Sequence, residues 1–124
     1  MIVAIGSDLV SVERIRGVLE RHPRRFLSRH FTPLERDYAL AAADPAPRLA
    51  ARWAAKEAFA KVWPAPLGWR DVWVAHEGAR PVLRFAAGLE RALREEGLVC
   101  HLSLSHERDF AMALVVLEKV THPS

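Results

Sequence analysis

The chain has 124 residues, 51% hydrophobic and 27% charged, with a formal net charge of +3, which suits one domain with a modest core and excludes a disordered polypeptide. Cys100 is the only cysteine, so an intramolecular disulfide is excluded and the residue reads as a small buried side chain of a reducing compartment. No leader-like opening and no apolar run near the ~18 residues of a membrane span occurs, so a soluble cytoplasmic protein without a membrane partner is expected.

The first element is an apolar, β-branched run from Met1 to Ile5, ended by Gly6, which predicts a buried strand delivering Ser7 and Asp8 at its carboxyl end. Val12, Ile15, Val18 and Leu19 then follow helical spacing, with Ser11 as cap and Arg14 and Arg21 on the other face. Pro23 interrupts this helix, and a short helical turn through Phe26 and Leu27 is expected. Residues 14–36 carry seven arginines against Glu20 and Glu35. Such a face suits an acidic partner, or it is a solubilising surface; charge alone leaves both open. Thr32-Pro33-Leu34-Glu35 is a capping box with proline at the first position, predicting a helix through Tyr38 to Ala42.

Arg52-Trp53-Ala54-Ala55-Lys56-Glu57-Ala58-Phe59-Ala60-Lys61 is rich in strong helix formers. Asp44 and Pro45 supply its start and Pro64 its end. Glu57 and Lys61 are four apart and share a face, with Lys56 about 100° round from Glu57. Two cations beside a carboxylate suit a metal-bound polyanion, but on these ten residues alone the plainer reading, a solvated i,i+4 ion pair on a core helix, is favoured. The prolines make residues 63–68 a loop. Asp71–Val74 and Pro81–Phe85 read as strands around a turn at Glu77–Arg80, followed by a helix over Ala86–Glu96 that Gly97 closes. Alternation from Leu98 to Ser105 predicts a half-buried strand, and Phe110–Leu117 a last apolar one, with a frayed tail at Thr121–Ser124. The fold class is therefore α+β with mainly antiparallel pairing, in one domain over residues 1–118 with a tail at 119–124.

There is no Walker loop, no dinucleotide fingerprint and no zinc-spaced cysteine/histidine set. Ser105, His106 and Asp109 are neighbours on one turn, a poor basis for a catalytic triad. A better constellation converges from separate elements. Magnesium takes one or two carboxylates plus substrate phosphates, and Asp8 and Glu57 are candidates. Lys61 can hold a phosphate as a point charge, and His106 can donate to one or assist a proton transfer. Each also has a plainer role: Asp8 as a cap, Lys61 as the surface partner of Glu57, His106 as a turn residue.

Taken together, four ordered motifs resemble the holo-acyl-carrier-protein synthase family of phosphopantetheinyl transferases. Ile5-Gly6-Ser7-Asp8-Leu9-Val10 with Arg14 is similar to its opening, and Arg25 to Thr32 followed by Glu35 to its second motif. Arg52 to Ala58 with Lys61 matches its W/F-x-x-K-E-A-x-x-K signature, and Ser103-Leu104-Ser105-His106 with Phe110-Ala111-Met112-Ala113 resembles its close. The resemblance implies the phosphopantetheinyl transferase fold and transfer of 4′-phosphopantetheine from coenzyme A to a serine of an acyl carrier protein, in fatty acid biosynthesis, releasing adenosine 3′,5′-bisphosphate. It implies Mg²⁺ on Asp8 and Glu57, Lys61 on the transferred phosphoryl group, and Ser105 and His106 on the coenzyme. It further implies an acidic carrier docked on Arg14, Arg21 and Arg25, and a homotrimer with shared sites. The base for the serine proton stays open between Glu57 and a metal-bound water.

Trp63-Pro64-Ala65-Pro66 stands where the family has a glycine-rich turn, and a proline nitrogen donates no hydrogen bond. The alternative is thus a protein of this shape that binds coenzyme A or carrier without turnover. A nucleic-acid module using the arginine face is a third reading, but it lacks interleaved aromatics and any reading motif, so no nucleic-acid partner is expected.

Overall fold

Residues 1–121 are described in the structure, a computed structural model. The elements are β1 (Ile2–Ser11), α1 (Val12–Arg21), α2 (Pro23–His30), α3 (Pro33–Leu40), α4 (Ala46–Ala60), β2 (Val72–Glu77), β3 (Arg80–Phe85), α5 (Ala87–Glu95), β4 (Leu98–His106) and β5 (Phe110–Lys119). β1, β5 and β4 form an antiparallel sheet in that order, and β2 and β3 form a separate antiparallel hairpin. The class is α+β with antiparallel pairing, as expected.

α4 is the centre of the molecule. Its Ala46, Ala50, Ala51, Ala54, Ala55 and Ala58 are buried together with Leu49 and Phe59, so the helix is enclosed on most sides. Small side chains let it lie close to the sheet. The closest approach is at Gly6, where a Cβ would stand 2.2 Å from the Ala58 carbonyl oxygen. This corrects the expectation that Gly6 ends the first strand: β1 continues through it to Ser11, and the glycine is there to admit the helix backbone. Asp8 therefore lies within the strand, paired opposite Ala113.

Inward-facing Val10, Ala111, Ala113, Val115 and Leu117 cover α4, with half-buried Leu98, Cys100, Leu102 and Leu104 beside them. Burial pushes the Cys100 thiol up to about 12, which suits an inert packing residue.

Several local expectations hold. Ser11 accepts from the Arg14 amide at 3.2 Å and caps α1. The Thr32–Glu35 capping box is present, and α3 begins at Pro33. Gly97 follows α5 at φ +68°, and Gly78 takes φ +62° in the two-residue turn between β2 and β3. Other boundaries move. Pro23 opens a full helix, α2, since proline at a first helical position loses no hydrogen bond. α3 ends at Leu40, and α4 at Ala60 with Lys61 as its C-cap, before Pro64. The hairpin strand runs on to Glu77 and β5 to Lys119, because pairing with a neighbour extends both past their apolar stretches. Of the expected tail, residues 122–124 lie outside the described residues.

Candidate active site

Three elements meet at one opening. Alternation along β1 turns Asp8 to the same side as Gly6 and Val10, toward α4, and its side chain is 20% exposed. α4 carries Glu57 in its last turn and Lys61 at its end. α1 brings Arg14 to the rim. Asp8, Arg14, His30, Trp53 and Glu57 line a cavity of about 310 Å³. On its other side Glu57 borders a second cavity of about 230 Å³, shared with Leu67, Gly68 and Trp69 of the proline-containing connection.

The Lys61 ammonium donates to the Ser7 carbonyl at 2.6 Å and lies 3.5 Å from Asp8 Oδ1. It thus leans toward β1 rather than forming the expected i,i+4 pair with Glu57. Among the described residues no ion pair or side-chain hydrogen bond engages the Glu57 carboxylate. Two hard oxygen donors facing one cavity, one unpaired and one only loosely paired, fit a magnesium ion that also takes phosphate oxygens.

Lys56 does not join this group. Its ammonium is buried, 2.8 Å from Glu35 Oε1, and donates to the Trp69 and Val72 carbonyls at 2.7 and 2.5 Å. Burial lowers its pKa, opposed by the Glu35 charge. Glu35 in turn accepts from the Thr32 and Val74 amides at 3.1 and 3.0 Å. The second cation expected beside Glu57 is instead a strut joining α4, α3 and β2, because the 100° offset that separates Lys56 from Glu57 points it into the core.

Ser105 and His106 are also placed elsewhere. They line a third cavity, of about 250 Å³, with Leu9, Phe110 and Met112. β5 lies between β4 and β1, and within one chain neither of these two residues lines the cavity that Asp8 and Glu57 share. Of the arginines, Arg14 reaches the first cavity, and Arg14, Arg21 and Arg25 are all exposed. Arg16 is tied to Glu13 at 2.5 Å and Asp44 at 2.6 Å, which holds its guanidinium above the ordinary arginine range.

His30 and Trp53 were not singled out from the sequence as site residues. Trp53 and Trp69 meet as a tilted pair with centroids 4.2 Å apart, and His30 lies 5.0 Å from each. Their shared signal is position: both lie inside the ordered motifs, in the last turn of α2 and one turn before Glu57.

The profile of the 4′-phosphopantetheinyl transferase superfamily matches residues 4–115. The holo-[acyl-carrier-protein] synthase of Thermus thermophilus is 58% identical over 118 residues, covering 95% of this chain and 94% of that protein. The synthase of Deinococcus deserti is 50% identical over 127 residues, covering 96% and 99%. The crystal structure of the Neisseria meningitidis synthase superposes with a TM-score of 0.86 at 35% identity, over 96% of this chain and 100% of that one. A synthase from Bacillus anthracis in complex with CoA (3′,5′-ADP) gives 0.79 at 31% identity, over 97% and 99%.

Proposed function

The chain belongs to the 4′-phosphopantetheinyl transferase superfamily, and from that premise we propose how its residues divide the work of a holo-[acyl-carrier-protein] synthase. The reaction moves 4′-phosphopantetheine from coenzyme A to a serine hydroxyl of an apo carrier protein and releases adenosine 3′,5′-bisphosphate. Phosphoryl transfer is mostly alignment and charge stabilisation. The observation that carries the assignment is the cavity where Asp8 and Glu57 stand together, with Lys61 one turn beyond.

Asp8 and Glu57 would hold Mg²⁺, which when bound neutralises the diphosphate of the coenzyme. Lys61, 53% exposed and anchored on the Ser7 carbonyl, presents its charge to the transferred phosphoryl group. Arg14, Arg21 and Arg25 form a cationic approach for an acidic carrier, with Arg14 at the cavity rim. Ser105 and His106 serve the coenzyme from a neighbouring copy. The outer face of the three-stranded sheet exposes Val3, Ile5, Leu9, Phe110 and Met112, a patch of the kind that marks an interface. A homotrimer built on it sets His106 of one copy toward the cavity of the next. The setting is fatty acid biosynthesis in the cytoplasm; among the described residues no helix is long and apolar enough to cross a membrane.

The test is incubation with apo carrier, coenzyme A and Mg²⁺, followed by mass spectrometry of the carrier. A gain of one phosphopantetheine is expected, and its loss on chelation of the metal. Saturable coenzyme binding without any gain would support the binding-only reading, which the absence of amide donors at Pro64 and Pro66 favours.

A further inference from the structure

The proton on the carrier serine has to leave as its oxygen attacks, and both carboxylates of the first cavity are assigned to holding the metal. A carboxylate whose lone pairs hold a cation is a weakened base. Lys61 and Arg14 are cations and accept nothing. The remaining titratable side chain lining that cavity is His30.

The ring of His30 is oriented by its surroundings. Nδ1 lies 2.9 Å from the Phe26 carbonyl oxygen, four residues earlier in α2. A carbonyl only accepts, so Nδ1 is the donor of this bond, and in the neutral ring the free lone pair is then on Nε2. Phe26 at 5.2 Å and Trp53 and Trp69 at 5.0 Å pack the ring. Among the described residues no protein group bonds Nε2, the atom on the far side of the ring from α2. The arginine assigned to carrier docking lines the same cavity, so a carrier docked on it would bring its serine to the cavity that His30 lines.

We propose that His30 is the general base, Nε2 receiving the hydroxyl proton of the carrier serine. The serine oxygen forms a bond to the phosphorus that bears pantetheine. The bond from that phosphorus to the oxygen of adenosine 3′,5′-bisphosphate breaks, and the bisphosphate leaves with the bonding pair. The proton on Nε2 then passes to solvent. This inference rests on the transferase reading and adds the one group that reading leaves unnamed.

The experiment compares wild type with His30→Gln and His30→Phe, the second keeping an aromatic ring in the packed position, each checked for an unchanged unfolding midpoint. A positioned base contributes on the order of 100-fold or more to rate. Both variants are therefore expected to lose about that much kcat, with KM for coenzyme A and for carrier within about threefold of wild type. In His30→Gly, added imidazoles are expected to restore transfer, with a rate that rises with the basicity of the imidazole. Wild-type-like kcat in His30→Phe would overturn the proposal, as would rescue indifferent to basicity, or a loss confined to KM. In each of those cases wild-type transfer stands and only the base is misassigned. Absence of transfer by wild type would remove both readings.

Discussion

Asp8 and Glu57 come from parts of the chain far apart in sequence and share one cavity wall, and that is where the chemistry is most exposed to test. Asp8→Ala and Glu57→Ala should each lower transfer by at least ~100-fold, the scale of removing one electrostatic contact to a transition state. Their unfolding midpoints should stay near wild type, since neither carboxylate has a strong partner in the fold. Near-normal rates in either would remove the metal assignment. Lys56, next in sequence to Glu57, should behave in the opposite way. Lys56→Met leaves Glu35 buried without its cation, a change that typically costs ~3–5 kcal/mol. Denaturant unfolding should report that loss, and an unchanged midpoint would show that the Glu35 pair carries little.

At the scale of elements, the contact between β1 and α4 sets the site. Because the Gly6 position lies against the Ala58 carbonyl, the strand passes close enough for Asp8 to stand beside Glu57 and Lys61. A methyl group there meets backbone at 2.2 Å, which flexible side chains cannot relieve. Gly6→Ala should therefore destabilise by ~2 kcal/mol or more, in the range of overpacked cores, and should also reduce transfer by moving Asp8. α1 contributes differently, by presenting Arg14 and Arg21 seven residues apart on an exposed face. Reversing a docking charge acts on partner recognition. Arg14→Glu is expected to raise KM for carrier by at least ~10-fold while coenzyme binding, followed by calorimetry, stays the same. Equal loss of both would place Arg14 in the coenzyme site instead.

For the whole molecule the telling feature is the outer sheet face. Ile5 at 62% exposed and Leu9 at 63% sit in a strand whose inner residues are buried, an arrangement that wants a partner. On the proposed trimer, Ile5→Glu should shift the mass in sedimentation equilibrium from trimer to monomer and abolish transfer with it, because the proposed contact of Ser105 and His106 with a neighbour's cavity would be lost. A monomeric wild type that transfers at full rate would refute the shared site.

The sequence by itself determined the element order, the class and the caps of α1 and α3, though not that of α4, whose N-cap is Pro45 rather than Asp44 and has no side-chain cap hydrogen bond. Those depend on short-range physics: Thr32 with Glu35, Ser11 with the next turn, Gly97 past a helix end, and alternation through β4. It also marked Asp8, Glu57 and Lys61 by motif. Only the tertiary structure decided which side chains meet. It turned Lys56 inward onto Glu35 and set Lys61 on Ser7 and Asp8 instead of Glu57. It carried His106 to the far side of β5 and brought His30 into the cavity. The reason is that helical spacing gives an angle round one axis, whereas partners are chosen by what packs against each face. Here that choice follows from how closely a glycine lets α4 approach the sheet.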